Sequence, residues 1–306
     1  MNLQSKFTKA KDLKQVNFKP VSTTYQLVDE LFSFQGGMLE GRVIYLTGVS
    51  GAGKTTFTLQ LQSAMEHVKS CQYNRESRVD MVKSRNPQFN YHDNLYMVDE
   101  TDFNSLPDFL DASKEEGFDL LVIDSLRASA YGMEGGKLQR EIEALRLAMD
   151  WVKETGKNII FIGMVNRDDD FSGSAEMMHY VDCHLHLQFD KKANERYMYF
   201  DYKNRDGEVQ KKLYYYFQEN GWLGFMNESE WMTQKLDLKM HDVVQVAMQN
   251  WIKGWENHPS YTSFKQELSS AQKKIAEQGD FSNQTQFQSI VMVQAQELVD
   301  KYFMSI

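Results

Sequence analysis

Two cysteines, Cys71 and Cys183, are all that 306 residues contain. That count excludes a disulfide framework and a four-cysteine zinc ribbon, and it fits a reducing, cytoplasmic setting. No apolar run is long enough to cross a membrane, and the first residues lack the apolar core of a secretion signal. Excess positive charge is missing too: 34 Lys and Arg stand against 43 Asp and Glu, a formal net charge of −9. An acidic surface is no general magnet for nucleic acid, so DNA binding would need a local patch or an oligomeric channel. Internal repeats and low-complexity tracts are absent from the sequence. Apolar residues make up 42% of the chain, which supports a sizeable core. The length suits one large α/β domain with an appendage, or two domains.

One stretch organises the rest: Gly48-Val49-Ser50-Gly51-Ala52-Gly53-Lys54-Thr55. It satisfies G-x-x-x-x-G-K-[ST] at every fixed position. Arg42–Thr47 is β-rich and reads as a buried strand entering the loop. Thr56 to His67 places Phe57, Leu59, Leu61 and Met65 as a helix leaving it. Strand, glycine loop and helix are the context this motif requires. Glycines let backbone N–H groups turn inward and approach phosphate oxygens, and the helix N-terminus adds partial positive charge. The loop through Thr56 is therefore expected to cradle ATP. Lys54 is expected on the β- and γ-phosphates, and the Thr55 hydroxyl on Mg²⁺.

The remaining chain alternates. Residues 1–20 form an arm with Lys6, Lys9, Lys11, Lys14 and Lys19 against one acid. Helical spacing from Tyr25 to Phe34 stops at Gly36-Gly37. Strands are expected near 71–74, 94–98, 119–125 and 158–165, with helices over 108–116 and 138–155. Near-continuous apolar strands alternating with helices imply a mainly parallel sheet covered on both faces. After residue 183 the segments 184–189, 196–202 and 212–217 read as antiparallel hairpin strands, expected at a sheet edge. Beyond a boundary at 228–235 the chain turns helical. Leu236, Met240, Val243, Val244, Ala247, Met248, Trp251 and Trp255 make one stripe there. The expected organisation is thus an arm (1–20), an α/β ATPase domain (21–228) and a helical C-terminal region (229–306).

Several polar residues carry chemistry. Asp124 ends the apolar strand Leu120–Asp124, 70 residues after Lys54. A carboxylate there, beside a phosphate loop, holds Mg²⁺. Glu76, after the second strand, is the first candidate to orient water on the γ-phosphate, and Glu100 the second. Lys203 and Arg205 lie at a strand end, two residues apart. They read either as a finger reaching an adjacent subunit's nucleotide or as solvated charges on a turn. Asp182, His184 and His186 alternate on one strand face, expected to be polar and exposed rather than metal-binding. Asp168-Asp169-Asp170 reads as a solvated loop.

The order of these motifs resembles the RadA/Sms branch of the RecA superfamily, which stands close to DnaB-type helicases. The resemblance covers roughly residues 20–225. It rests on Gly36-Gly37-Met38-Leu39-Glu40-Gly41, on Val122-Ile123-Asp124-Ser125, on the segment from Gly163 to Val181-Asp182, and on Lys203-Asn204-Arg205-Asp206-Gly207. The last looks like the family's Lys-Asn-Arg-Phe-Gly signature, which generic P-loop ATPases lack. The resemblance implies a RecA-like core in a homo-oligomeric ring, usually a hexamer. It also implies ATP between subunits and DNA in the central channel. By position it makes Arg127–Lys137 and Arg167–Glu176 the two channel loops, with Arg127, Lys137, Arg140 and Arg167 as DNA-phosphate contacts. The implied function is a DNA-stimulated ATPase of translocase or helicase type, acting in recombination, repair or replication. The alternative is a nucleotide-gated assembly or regulatory ATPase of the RecA/KaiC type without a DNA substrate. The sequence departs from the family at several points, one being the paired glutamates after the second strand, which appear here as Arg75-Glu76. The family's four-cysteine zinc module is not expected in a sequence with two cysteines, and a short helical tail is expected where the family has its protease-like domain. Met164 stands where the family has a polar γ-phosphate sensor, with Asn166 two residues on. Asp168–Asp170 replaces a Lys-Glu-Gly stretch. Asp206 replaces the signature's Phe.

Overall fold

The computed structural model describes residues 18–165, 176–191, 193–232 and 234, excluding the side chain of Glu100. The chain divides into two compact units, Met1–Asn227 and Glu228–Ile306. The basic arm up to residue 17, Asn166 through residue 175 (with Arg167 and Asp168–Asp170) and the apolar stripe at 236–255 lie outside the described residues.

The first unit is built on a nine-stranded sheet. Six strands are parallel: β3 (Val43–Gly48), β4 (Ser70–Asn74), β5 (Leu95–Asp99), β6 (Leu120–Asp124), β7 (Asn158–Ile162) and β8 (Cys183–Asp190). Three more continue the sheet antiparallel: β9 (Glu195–Asn204), β10 (Leu213–Phe217) and β11 (Leu223–Met226). The order is β11-β10-β9-β8-β3-β7-β6-β4-β5. A separate pair joins β1 (Pro20–Val21) to β2 (Met38–Leu39). The helices are α1 (Gln26–Phe32), α2 (Lys54–Ala64), α3 (Val79–Arg85), α4 (Leu106–Glu116), α5 (Leu126–Ser129) and α6 (Lys137–Thr155).

Period-two alternation sorts the strand residues onto two cores. Ile44, Leu46, Val122 and Ile160 pack with Leu31, Phe57 and Leu61 from α1 and α2. Val43, Tyr45, Leu121, Ile123 and Phe161 pack with Phe109, Leu145 and Trp151 from α4 and α6. Both faces are covered, so the central strands are apolar at nearly every position. α4 has its own boundary signals: the Ser105 hydroxyl accepts from the Asp108 N–H, and Gly117 closes the helix in the left-handed region.

Two expectations need correction. The hairpin over 196–217, which is β9 and β10, is not the sheet edge, because β11 pairs outside β10. The strand β11 is short and contains Gly224, which hid it from pattern reading. His184 and His186 are not exposed but buried, at 0% and 3%. Their alternation with apolar neighbours is genuine, yet the face they occupy is internal. Thr47 on β3 supplies the polar partner there: its hydroxyl lies 2.8 Å from His184 Nε2 and 2.9 Å from His186 Nδ1. Asp182 is buried as well, and accepts from the Val43 N–H at 2.9 Å.

Candidate active site

At the C-terminal end of β3 the chain turns through Val49–Gly53 into α2. Gly48 sits so close to β8 that a Cβ would lie 2.4 Å from the Leu187 carbonyl oxygen. Gly53, at φ 99°, forms the N-cap of α2 in a conformation L side chains avoid. β10 backs the loop: the Tyr215 hydroxyl donates to the Ala52 carbonyl at 2.6 Å. Lys54 folds over the turn, its Nζ donating to the carbonyls of Gly48 (2.6 Å) and Val49 (3.0 Å). The ammonium is thereby held at the mouth of the loop.

Three further side chains converge on it. The Thr55 hydroxyl donates to Asp124 Oδ2 at 2.8 Å. Asp124 arrives from β6, with β7 between it and β3. Glu76, two residues past β4, accepts a hydrogen bond from the Ser125 hydroxyl. The Arg75 N–H donates to the Asp124 carbonyl at 2.6 Å, which ties the exits of β4 and β6 together. The loop, Glu76, Asp124, Ser125 and Ile162–Val165 line one cleft of about 520 Å³. Met164, 43% exposed, stands on its rim.

Burial pushes the Asp124 carboxyl above its ordinary value; the Thr55 hydrogen bond opposes this, the Glu76 charge adds to it and Lys54 opposes it. Thr55 and Asp124 offer an all-oxygen donor pair of the kind a small hard cation takes, so the residues present fit Mg²⁺. The cysteines take no part. Both are buried, and burial pushes their thiols up to about 12, so neither is a ready nucleophile.

Of the other candidates, Glu100 follows β5, the outermost parallel strand, with three strands between it and β3. Arg127 on α5 pairs with the buried Glu141, Nε to Oε1 at 3.3 Å. Lys137 and Arg140 occupy the first turn of α6, away from the cleft. A wider groove of about 1070 Å³ runs along the start of α6, and includes Lys137 but none of the phosphate-loop residues. Tyr131, between Arg127 and Lys137, is 78% exposed. Sequence reasoning passed over it, although a lone aromatic among basic residues was the available signal.

Lys203 and Arg205 stand at the opposite end of the sheet from the loop. Asn204 pairs with Cys183, which pairs in turn with Ile44 at the start of β3. Gly48, at the other end, pairs with Leu187, and Leu187 with Met198. Four residues of β3 and of β8, roughly 13 Å, separate the two levels; β9 spends six residues on the same interval because its register shifts opposite Cys183–Leu185. Arg205 pairs with Asp182 at 2.8 Å while staying half exposed, and Lys203 Nζ donates to the Met178 carbonyl at 2.8 Å. Burial, then the Arg205 charge, lowers the Lys203 ammonium below its ordinary value. Asp206 forms a two-pronged pair with Arg42 at 2.6 and 2.7 Å. That pair accounts for an acid where the family signature has Phe.

Known proteins agree with this geometry. The family described as "ATPase family associated with various cellular activities (AAA)" matches residues 44–188. The DNA repair protein RadA of Escherichia coli K12 is 28% identical over 223 residues, covering 71% of this chain and 47% of that protein. RadA of Streptococcus pyogenes serotype M3 is 24% identical over 254 residues, covering 80% and 54%. The chain thus spans about half the length of the curated relatives it matches. A crystal structure of a KaiC-like protein from Pyrococcus horikoshii OT3 aligns with a TM-score of 0.57 and 22% identity, over 69% of this chain and 100% of that one. Phosphate loop, strand-end carboxylate and a parallel sheet with an antiparallel extension define a RecA-type P-loop ATPase core. Within that superfamily the chain is RadA-like.

Proposed function

We propose that this ATPase works on DNA, as a RadA-like motor in recombination, repair or replication, assembled as a ring of six identical subunits. The convergence of Lys54, Thr55, Asp124 and Glu76 in one cleft supports the hydrolytic half of this reading. Loop N–H groups and Lys54 bind the phosphates of ATP. Thr55 and Asp124 hold Mg²⁺, which when bound neutralises charge on the β- and γ-phosphates. Glu76, oriented by the Ser125 hydroxyl, positions the attacking water and takes its proton. Lys203 and Arg205 serve the nucleotide of the next subunit, since their own loop lies at the other end of the sheet.

The DNA half rests on the relatives, which are named DNA repair proteins, and on exposed basic residues beside Tyr131. Arg127, Lys137 and Arg140, with Arg167 outside the described residues, are the proposed phosphate contacts. Measuring ATP turnover with and without single-stranded DNA tests the reading. Stimulation is expected. Turnover indifferent to DNA would favour a nucleotide-gated assembly or regulatory ATPase, a reading that the net charge of −9 would suit.

A further inference from the structure

The phosphate loop has a back as well as a mouth. Gly51, Gly53 and Lys54 line the cleft, whereas Ala52 is buried behind it. Ala52 belongs to the apolar core that also holds Leu46, Phe57 and Tyr215. Its carbonyl accepts the hydroxyl of the buried Tyr215 there, at 2.6 Å.

One peptide unit joins that carbonyl to the Gly53 N–H. In a trans peptide the two groups point in opposite directions. An Ala52 carbonyl held on the core side therefore turns the Gly53 N–H to the cleft side. Glycine does not fix this orientation by itself. Turning the peptide over carries the Gly53 φ from 99° to the negative side, and glycine adopts both. A side chain that would narrow the choice has no room, since the Phe217 ring lies 3.0 Å from where a Cβ would stand. The glycine that opens the loop to phosphate thus leaves a phosphate donor free to turn away.

Tyr215 is anchored well enough to hold it. Its strand β10 pairs with β11. Gln60 on α2 grips β11 in turn: its Nε2 donates to the Leu223 carbonyl at 2.9 Å, and its Oε1 accepts from the Leu223 N–H at 2.6 Å. The hydroxyl is thereby fixed against the helix that the loop leads into.

We propose that Tyr215 is a positioning residue for nucleotide binding: its hydroxyl locks the Ala52–Gly53 peptide so that the Gly53 N–H faces the phosphates. The proposal rests on the ATPase reading above.

The test is calorimetric titration of the full chain with Mg-ATP and, separately, with Mg-tripolyphosphate, which has no nucleoside. Tyr215→Phe keeps the ring and removes the lock. It should weaken both ligands by the same factor, about tenfold, the order of one hydrogen bond to a charged group. Tyr215→4-aminophenylalanine puts a donor back at the same point of the ring and should restore both affinities. A lowered melting temperature with both affinities unchanged overturns the proposal, because Tyr215 would then only pack. So does a loss confined to ATP, which would place Tyr215 at the nucleoside. If Tyr215→Phe does not fold, the amine still decides: a folded 4-aminophenylalanine chain that binds tripolyphosphate about tenfold more weakly than the parent overturns the proposal. A parent chain that binds neither ligand overturns the phosphate-cleft reading itself, a distinguishable failure.

Discussion

Lys54 and Asp124 show how much a single charge does at this site. Lys54 is the only side-chain cation of the phosphate loop, and the loop carbonyls hold it in position. Lys54→Ala should leave the fold intact and lower ATP turnover by about 10²–10³ or more, the cost of removing one preorganised donor from developing phosphoryl charge. Wild-type turnover in a steady-state ATPase assay would sink the loop assignment. Asp124 carries a conflict between stability and function. Its folded pKa is raised, first by burial. The folded chain therefore holds this proton more tightly than the unfolded chain does. That contribution is complete below the unfolded value and is lost as pH rises through the folded one. At neutral pH the charged carboxylate costs stability. Asp124→Asn removes the charge and keeps an acceptor for the Thr55 hydroxyl. It should melt higher than the parent at pH 7, with the difference narrowing as pH falls toward 3.8, the ordinary aspartate value. Its turnover should drop by about a hundredfold, because the Mg²⁺ site loses its charge. Thermal melts at several pH values, run beside the ATPase assay, check both halves. The loop and Asp124 were legible because each ends an apolar strand, whereas Glu76 follows the polar strand Ser70–Asn74 and stood as one of two candidates beside Glu100. Ser125 and Tyr215 were not legible, because their partners come from strands distant in sequence.

At the scale of elements, the parallel half of the sheet was readable and the antiparallel half was only partly so. Apolar runs such as Leu120–Ile123 and Ile159–Ile162 declare strands covered on both faces. β9 carries a mixed pattern, and its neighbours decide which side is wet. Nothing local in His184 and His186 announces that Thr47, 137 and 139 residues away, will satisfy them. A hydroxyl has one proton, so Thr47 donates to one imidazole and accepts from the other, which couples their tautomers. Burial, then the His186 charge, drives His184 down to about 3, so it stays neutral at working pH. Thr47→Val keeps the shape and deletes the shared partner, leaving two buried imidazole nitrogens unsatisfied. It should cost about 1–3 kcal/mol in denaturant unfolding, and a loss under half a kcal/mol would mean the pair finds other partners. The Arg42–Asp206 pair joins the start of β3 to the turn after β9. Both side chains are nearly buried, at 13% and 7% exposure. Asp206→Ala strands the guanidinium and should destabilise the fold by about 3 kcal/mol. Replacing Arg42 with Met in the same chain should recover part of that loss.

At the scale of the whole molecule, the proposed ring draws on one geometric observation. Lys203 and Arg205 lie roughly 13 Å along the sheet from the loop of their own chain, and their side chains are engaged with Met178 and Asp182 instead. We propose that these cations act on a neighbour's nucleotide. Arg205 pairs with Asp182 and keeps about half of its side chain exposed, which supports the proposal. On that proposal hydrolysis is tied to assembly, because an isolated subunit would lack the charge that stabilises the departing γ-phosphoryl group. Trans cations of this kind are worth roughly 10³–10⁵ in rate. Arg205→Ala should therefore bind ATP almost as the parent does and lose nearly all turnover. Lys54→Ala fails for the complementary reason, having a sound finger and a broken loop. Mixing the two should restore activity, because some interfaces in a mixed ring place an intact loop opposite an intact finger. Co-elution of differently tagged subunits confirms that mixed rings have formed. Normal turnover in Arg205→Ala would end the trans assignment. So would silence from rings proven to contain both variants, since every such ring has at least one interface with both parts in place.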